Sequence, residues 1–316
     1  DDVSAVVPAF APRTAQGEMH TMQRVLIVGL GLIGGSIGLA LRRWSEEHKV
    51  DNRRPLEIVG FDPNLDHQRA AEKMGAVDRG AWDLAKAARE ADVVVLAMPV
   101  AAMREAMIDL GPHLQPGVVV TDTGSTKAQV LEWAREALPK GVHFVGGHPM
   151  AGSEESGVEA ASDSLFHGAV YALTPDTQTN PAALDTVRAL AQAVGARVLL
   201  LCAEEHDRAV AITSHLPHIV AGIFVRLAAR GGEHMASLTA GSFRDLTRVA
   251  GSPSALWGDI SITNAGAILD AAREFRDALD EIESLIRAGD AEGTREWFAG
   301  NSAIRNLLTS SGEEKL

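Results

Sequence analysis

The 316-residue chain is predicted to fold as an α/β domain with a doubly wound, mostly parallel sheet, followed by an all-helical domain. Two observations predict this. Short apolar runs without alternation, such as residues 91–97, alternate with helix-spaced segments, and such runs are typical of strands buried on both faces of a parallel sheet. From Ala203 onward no strand-like run remains. We therefore predict a disordered tail at 1–22, the α/β domain at 23–202 and the helical domain at 203–316.

The first strand, turn and helix of the α/β domain occupy residues 24–43. The turn reads GLGLIG, with glycines that allow a tight turn, close approach of a phosphate and close helix–strand packing. The helix that follows presents free N–H groups and a positive dipole end to an anion. This order predicts a Rossmann-like site for a dinucleotide, and a purely structural glycine turn is the alternative. The predicted contacts are Gly29, Gly31, Leu32, Ile33 and Gly34.

Asp62 ends the second strand and predicts which cofactor binds. A carboxylate there accepts hydrogen bonds from both ribose hydroxyls and repels a 2′-phosphate. Pro63 and Asn64 follow it, and neither is a cation, so we predict NAD rather than NADP. A charged insertion at 44–55 lengthens the spacing to Asp62 but leaves the turn intact. The later strands at 91–97 and 118–122 should bring Pro99 and Lys127 to the cofactor side of the sheet.

Composition excludes several classes of function. The net charge of −13 disfavours nucleic-acid binding through phosphates, and it means that an anionic substrate needs a locally cationic pocket. One cysteine, Cys202, excludes a disulfide framework or a cysteine-rich zinc site within one chain. No apolar run reaches the ~18 residues needed to span a membrane, and the first 22 residues do not resemble a signal peptide. We therefore expect a cytoplasmic protein.

The helical part contains two long segments with helix-spaced apolar residues. Pro217 interrupts the first and should kink it. The second has apolar steps of four and three residues, which form a seam. Such a seam either packs within the chain or joins two subunits, and we favour a homodimer. The seam residues are Ile268, Ala272, Phe275, Leu279, Ile282 and Ile286.

Three polar residues follow strand ends in the α/β domain, namely Ser125, Lys127 and His148. The carboxyl ends of parallel strands face one crevice, so these residues should meet there. A nicotinamide enzyme that oxidises an alcohol needs a proton acceptor, and an imidazole titrates in the right range. His148 is our predicted acceptor, with a structural histidine as the alternative. His143 begins the same strand and should lie at the opposite end of the sheet.

Arg244 and Arg248 are predicted to share a helix face, where an arginine could bind a carboxylate through two hydrogen bonds. The alternative is that both are solvated or paired with nearby aspartates. His215 and His218 lie three residues apart, downstream of the polar group Glu204, Glu205, His206 and Asp207. Zinc is chemically conceivable with such ligands, but substrate contact or packing is favoured for the two histidines and no metal is predicted. Glu154, in a glycine-rich loop, should face either substrate or solvent.

Five motifs in this order resemble the prephenate dehydrogenase family, which includes arogenate and cyclohexadienyl dehydrogenases. They are GLGLIGGS (29–36), DTGSTK (122–127), GGHPMAGSEESG (146–157), TSHLPH (213–218) and FRDLTRVAGSPSALWGDI (243–260). The resemblance implies oxidative decarboxylation: a hydride leaves the hydroxyl-bearing ring carbon for NAD, carbon dioxide is lost, and the ring aromatises to 4-hydroxyphenylpyruvate. It also implies a Rossmann-like domain followed by a helical dimerisation domain.

The resemblance also implies roles for individual residues. His148 would polarise the ring hydroxyl, with Ser125 beside it, and Arg248 would hold the ring carboxylate. Tyrosine is expected to inhibit, if at all, by competition at the active site, because the chain has no segment matching the regulatory domain of some relatives. The residues placed around the substrate's side chain are His218, Trp257, Gly241 and Glu154, whereas His215 matches the motif without a defined role.

Three alternatives remain open at this point. An arogenate dehydrogenase would use the same chemistry on an amino substrate. A 3-hydroxyacid dehydrogenase is disfavoured, because such enzymes depend on a lysine in the helical domain and residues 203–309 contain none. A non-catalytic sensor would bind NAD and dimerise without turnover.

Overall fold

The computed structural model describes residues 22–48, 56–152, 155–232 and 234–313. Its strands form a single eight-stranded sheet with the order β3-β2-β1-β4-β5-β6-β7-β8. The strands are β1 (Arg24–Val28), β2 (Glu57–Phe61), β3 (Arg79–Gly80), β4 (Val93–Leu96), β5 (Val119–Asp122), β6 (His143–Pro149), β7 (Val170–Thr174) and β8 (Arg197–Leu200).

Six of these strands, β3 to β6 in the sheet order, run parallel, as the unbroken apolar runs predicted. The pairing then reverses, because β7 is antiparallel to β6 and parallel to β8. The strand order changes direction between β1 and β4, and this is where doubly wound sheets bind ligands beyond their carboxyl ends. The predicted fold class is therefore confirmed, with an antiparallel step that the sequence pattern did not indicate.

The helices of the α/β part cover both faces of the sheet. They are α1 (Leu32–Glu47), α2 (Leu65–Met74), α3 (Leu84–Glu90), α4 (Val100–Leu110), α5 (Ala128–Ala137) and α6 (Pro181–Ala193). Alternate residues of β1 pack into different cores: Val25 and Ile27 lie in one apolar cluster, and Leu26 and Val28 lie in the other. A strand whose side chains are buried on both faces has no polar positions, which explains the absence of alternation in the sequence.

The rest of the described chain is helical. It contains α7 (Ala203–Val210), a π-helical turn (Ala211–His215), α8 (Leu216–Arg230), α9 (Met235–Leu238), α10 (Gly241–Thr247), α11 (Ser254–Thr263), α12 (Ala265–Ala288) and α13 (Ala291–Glu313). Pro217 stands in the first turn of α8, directly after the π-helical turn. Because proline has no N–H, the local hydrogen bonding changes before it, which agrees with the interruption predicted there.

The helical part leaves large apolar surfaces uncovered in the single chain. In the predicted seam on α12, Ile268 is buried, but Phe275, Leu279 and Ile286 are exposed. Half of the six seam residues are therefore exposed in the single chain. The continuous segment Ala203–Arg230, although not an uninterrupted apolar run, is also long and apolar enough by length and composition to cross a membrane, and only 22% of its apolar window is buried.

Two details of the predicted boundaries change. Met22, the last residue of the predicted tail, is buried in the apolar cluster that includes Val25 and Ile27. Residues 1–21 lie outside the described ranges. Helix α1 continues to Glu47, so the first residues of the predicted insertion at 44–55 belong to that helix. Residues 49–55 of the insertion lie outside the described ranges.

Candidate active site

The glycine turn between β1 and α1 has the geometry that the sequence predicted. Gly29 has a φ of 98°, and a Cβ there would lie 2.7 Å from the backbone of Ala97. A Cβ on Gly34 would lie 1.9 Å from the Gly29 carbonyl oxygen, so both positions exclude a side chain. A Cβ on Gly31 would meet no atom within 4 Å, which leaves its backbone open on the side where a phosphate would approach.

Asp62 follows β2 and ties that strand to the glycine turn. Its Oδ2 accepts a hydrogen bond from the Leu30 N–H at 2.9 Å, and its Oδ1 accepts one from the Asn64 N–H at 2.9 Å. Each carboxylate oxygen has two lone pairs, so both retain capacity to accept a ribose hydroxyl. The open Gly31 backbone, the N-terminus of α1 and this carboxylate together fit an adenine dinucleotide without a 2′-phosphate.

Three other predicted cofactor contacts, Leu32, Ile33 and Pro99, lie at the start of α1 or after β4. Leu32 and Ile33 begin α1, and Ile33 packs against the core. Pro99 is exposed after β4, beside the backbone that approaches Gly29.

Lys127 does not fit the predicted contact with the cofactor. Its side chain is 1% exposed, and its ammonium group binds the Asp122 carboxylate and the Gly147 carbonyl, the latter at 2.8 Å. Burial lowers the pKa of Lys127, and the adjacent Asp122 opposes this shift. Lys127 is therefore a buried cation that joins the end of β5, at Asp122, to β6, at Gly147. Gly147 directly precedes His148.

A cavity of about 700 Å³ lies between the end of β6 and the helical part of the chain. It receives residues from the loop after β5, the end of β6, the π-helical turn, α8 and α11. The lining residues that the sequence had singled out are Ser125, His148, His215, His218, Arg248 and Trp257.

His148 stands at the end of β6, where its half-buried imidazole forms part of the cavity wall. Its Nδ1 lies 2.9 Å from Nε2 of His206, a residue of α7. Burial is the main cause that holds the pKa of His148 well below its usual value of 6.5, and the nearby His206 and Lys127 lower it further. The imidazole is therefore neutral at neutral pH and able to accept a proton. His143 lies at the opposite end of β6, as predicted.

His215, in the π-helical turn, presents a donor to the same cavity. The amide nitrogen of Asn264 donates to the Asp207 carbonyl oxygen at 2.8 Å and lies 3.1 Å from His215 Nδ1. Nδ1 of His215 is then an acceptor, so the proton of the neutral ring is on Nε2. Burial lowers the pKa of His215 to about 4, although Asp207 opposes the shift, and the ring stays neutral at neutral pH.

His218 forms an aromatic wall of the cavity with Trp257. The two rings stack with centroids 3.6 Å apart and an interplanar angle of 23°. Nδ1 of His218 lies 2.8 Å from the Ser214 carbonyl oxygen, which can only accept, so this nitrogen carries the proton. Burial lowers the pKa of His218; the Ser214 carbonyl opposes the shift and Arg248 adds to it.

The predicted shared face of Arg244 and Arg248 is not present. Helix α10 ends at Thr247, and Arg248 begins a 3₁₀ turn that brings it to the cavity. Arg244 lies outside the cavity lining, and its guanidinium donates to the Thr239 carbonyl at 3.5 Å. Gly241 is exposed at the start of α10 and is also not a lining residue.

The loop after β6 contributes to the cavity on both sides of a gap in the described ranges. Glu154 falls in that gap, together with Ser153, and so lies outside the described residues. Ala151, Gly152 and Glu155, on either side of the gap, line the cavity.

Comparison with known proteins decides the family. The domain described as prephenate dehydrogenase, nucleotide-binding domain, matches residues 37–200, and the one described as prephenate dehydrogenase, dimerization domain, matches residues 202–300. The chain belongs to the prephenate dehydrogenase family. It is accordingly an NAD-dependent oxidoreductase, and the predicted family, enzyme class and cofactor are confirmed.

Relatives within the prephenate dehydrogenase family match nearly the whole chain. The prephenate dehydrogenase of Bacillus subtilis strain 168 is 37% identical over 90% of this chain and 76% of its own length. The cyclohexadienyl dehydrogenase of Zymomonas mobilis is 34% identical over 92% of this chain and 97% of its own. The crystal structure of A. aeolicus prephenate dehydrogenase with hydroxyphenyl propionate and NAD⁺ has a TM-score of 0.83, at 33% identity, covering 91% of this chain and 98% of that one.

Three polar residues around the prephenate dehydrogenase cavity were not assigned from the sequence. His206 and Asp207 had been considered only as part of a metal-binding group, and Asn264 had not been singled out. Within the described ranges, no group of three His, Cys, Asp or Glu side chains has an arrangement that could hold a metal ion. The available signal was position: His206 and Asp207 belong to the first helix after the last strand, where the chain returns to the carboxyl ends of the strands.

Proposed function

We propose that the cavity binds prephenate and that the enzyme converts it to 4-hydroxyphenylpyruvate and carbon dioxide. One observation carries the proposal: a neutral histidine, His148, and a cation, Arg248, line the same cavity. Prephenate has a hydroxyl and a carboxylate on opposite sides of one ring, and it needs an acceptor for the first and a cation for the second. In a chain with a net charge of −13, this local cation gives a dianion a reason to bind.

In the proposed reaction, NAD supplies the hydride acceptor. His148 accepts the hydroxyl proton at Nε2, because its Nδ1 is directed at His206. The C–H bond at the hydroxyl-bearing carbon and the bond to the ring carboxylate both break, and the electron pair of the latter completes the aromatic ring as carbon dioxide leaves. The ring oxygen then takes the proton back from His148, which gives the phenol and restores the neutral imidazole. Aromatisation provides the driving force, so the residues mainly orient the ring and stabilise charge. We assign Ser125 to the hydroxyl and Arg248 to the ring carboxylate.

We assign the substrate's side chain to the wall formed by His218 and Trp257, whose stacked rings offer an apolar face and a polar edge. His215 contributes an N–H donor to the same cavity. Glu154 and Gly241 keep their place in this proposal through the family motif alone. A substrate with an amino group instead of the keto oxygen, such as arogenate, would differ only at this wall.

The test is the initial rate of NADH formation with prephenate and with arogenate, each repeated with NADP. Turnover of prephenate with NAD is the expected result. A rate with arogenate at least as high as with prephenate would assign the enzyme to the arogenate or cyclohexadienyl class. Absence of turnover with both, while NAD still binds, would contradict the proposal.

We further propose a homodimer formed through the helical domain, with the domain boundary at residues 202–203 as predicted. The support is the exposed seam on α12 together with the match to a domain described as a dimerization domain. Cys202 is a free thiol, which agrees with a reducing cytoplasm. L-Tyrosine, which resembles the product, is proposed to compete for the cavity, and an inhibition pattern competitive with prephenate is the result expected.

A further inference from the structure

A chain of three polar side chains leads from His148, at the cavity wall, into the protein interior. His148 Nδ1 lies 2.9 Å from His206 Nε2, and His206 Nδ1 lies 2.8 Å from Asp207 Oδ1. His206 is 2% exposed and Asp207 is 4% exposed, so neither side chain exchanges these partners for water. The chain crosses from the sheet to the helical part, because His148 is on β6 and the other two residues are on α7.

Asp207 is itself held in place by the backbone of the α/β part. Its Oδ1 accepts the Lys127 N–H at 2.8 Å, and its Oδ2 accepts the Ala128 N–H at 2.9 Å. These N–H groups belong to the first residues of α5, which have no partner within that helix. Three donors therefore fix the position of the Asp207 carboxylate: two backbone amides and the His206 ring.

With His206 in its neutral form, which is a premise of the inference, the chemistry of the three groups sets the direction of every hydrogen bond. A carboxylate only accepts, so Nδ1 of His206 carries a proton. In a neutral imidazole the other nitrogen then accepts, so Nε2 of His206 accepts from His148. Nδ1 of His148 must therefore be the donor, which leaves the lone pair of His148 Nε2 directed away from this chain.

We propose that His206 and Asp207 are positioning residues that hold His148 in the tautomer with a proton on Nδ1 and a free lone pair on Nε2. The inference rests on the proposed function of His148 as the proton acceptor. In the other tautomer, Nε2 carries a hydrogen and cannot accept the hydroxyl proton. Fixing the tautomer in advance removes a rearrangement from each turnover, in the way that an aspartate orients the histidine of a hydrolytic triad.

The first test measures the tautomer directly in the wild-type protein. Histidine-selective ¹⁵N labelling and NMR at neutral pH distinguish a protonated from an unprotonated ring nitrogen, and the His148→Asn variant identifies the His148 signals. The expected result is a protonated Nδ1 and an unprotonated Nε2. A protonated Nε2 would overturn the proposal. This readout needs no substrate, so it stands whether or not prephenate is turned over.

The second test distinguishes two possible roles of His206: accepting a hydrogen bond from His148, or only filling space with its ring. His206→Phe removes the acceptor, whereas His206→Gln can place its amide oxygen where Nε2 stood. We expect His206→Phe to lower kcat by about 10²-fold, with the KM for prephenate within about twofold, and to lose the single His148 tautomer. His206→Gln should recover most of kcat and the wild-type tautomer. His167→Gln, which changes an exposed histidine that does not line the cavity, serves as the control.

Two results of the second test would contradict the proposal: wild-type kcat in His206→Phe, or equal losses in folded His206→Phe and His206→Gln. If His206→Phe does not fold, the tautomer in wild type and in His206→Gln decides the question alone. A wild-type protein that fails to oxidise prephenate, yet shows the expected tautomer, would contradict the proposed function and leave the positioning role intact.

Discussion

The surroundings of His148 favour the neutral imidazole, which is the form that can accept a proton. Its pKa is held below the ordinary value by burial and by the nearby Lys127, His206 and His215, so the neutral form persists to more acidic pH. His148→Asn should therefore lower kcat by about 10²-fold or more, with little change in substrate affinity. Steady-state kinetics measure both. The control is His143→Asn, at the other end of β6, and an unchanged kcat in His148→Asn would remove the residue from the mechanism.

Arg248 provides the corresponding test for the cationic side of the cavity. Arg248→Gln should raise the KM for prephenate by about tenfold or more, because a charge-assisted hydrogen bond contributes about 1.5–3 kcal/mol. Arg244→Gln is the matched control, since that arginine lies four residues away and does not line the cavity. Equal KM values for wild type and Arg248→Gln would exclude the proposed contact with the carboxylate.

The sequence predicts which residues lie near the cavity better than it predicts what each side chain contacts. Ser125 and His148 reach the cavity because both follow parallel strands that end at one edge of the sheet. Lys127 follows the same strand as Ser125 but turns inward to a buried carboxylate, and no local pattern distinguishes the two directions. Arg244 and Arg248 separate because the helix ends between them, and helix ends depend on tertiary contacts as well as on local sequence.

Among the elements, the turn from β1 to α1 and the end of β2 act as one unit, because Asp62 accepts the Leu30 N–H within the turn. Asp62→Ala should narrow the preference for NAD over NADP by about tenfold, since repulsion of a 2′-phosphate by a unit charge contributes about 1 kcal/mol or more. The ratio of kcat/KM for the two cofactors measures this.

Asp62→Ala also removes the acceptor of the Leu30 N–H, so Asp62→Asn is the matched variant. It retains an oxygen for Leu30 and removes the charge. Both variants should shift the cofactor ratio in the same direction, and an unchanged ratio in both would mean that Asp62 is not beside the ribose.

Long, strongly patterned elements follow from the sequence, whereas short ones depend on their neighbours. The helix-like spacing of the sequence predicts helices at 66–74, 101–110 and 128–138, and α2, α4 and α5 begin and end within one residue of these limits. The two-residue strand β3 and the helix α3 were not predicted, because β3 exists only through its pairing with Val59 and Gly60. The π-helical turn before Pro217 likewise has no periodic signature, although the proline marks its place.

For the whole molecule, the exposed apolar seam predicts assembly. Leu279→Glu, at a position 51% exposed in the single chain, should shift the mass measured by light scattering from dimer toward monomer, because a charge would be buried in the interface. Trp82→Glu is the control, since Trp82 is 79% exposed and lies on the α/β part between β3 and α3. A dimer that persists in Leu279→Glu at low micromolar concentration would place the interface elsewhere.

The buried histidines should also make the stability of the whole protein depend on pH. The pKa of His215 is about 4 in the folded state and about 6.5 when unfolded, so the unfolded chain binds more protons between these values. The free energy of unfolding should therefore fall as pH decreases from 6.5 toward 4, by up to about 1.4 kcal/mol per pH unit for each such imidazole. Urea unfolding at fixed protein concentration from pH 7 to pH 5 measures the slope.

His215→Gln should make this slope shallower by up to the share of one imidazole, whereas His167→Gln, at an exposed position, should leave it unchanged. A slope that is the same in wild type and in His215→Gln would show that His215 is not neutral in the folded protein at mildly acidic pH.

Asp207 connects three parts of the chain that are far apart in sequence: the start of α5 through two amides, the end of β6 through His206, and α12 through its own carbonyl and Asn264. The sheet and the helices are therefore not interchangeable modules. Consider a chimera that joins the α/β domain of one relative to the helical domain of another. We expect His148 to work as a base in it only if the residues of both parents can form the contacts of His206 and Asp207. In a recombination library with its crossover near residue 202, the activity of each chimera should therefore depend on whether the residues that contact His206 and Asp207 are retained, rather than on the overall sequence identity of the two parents.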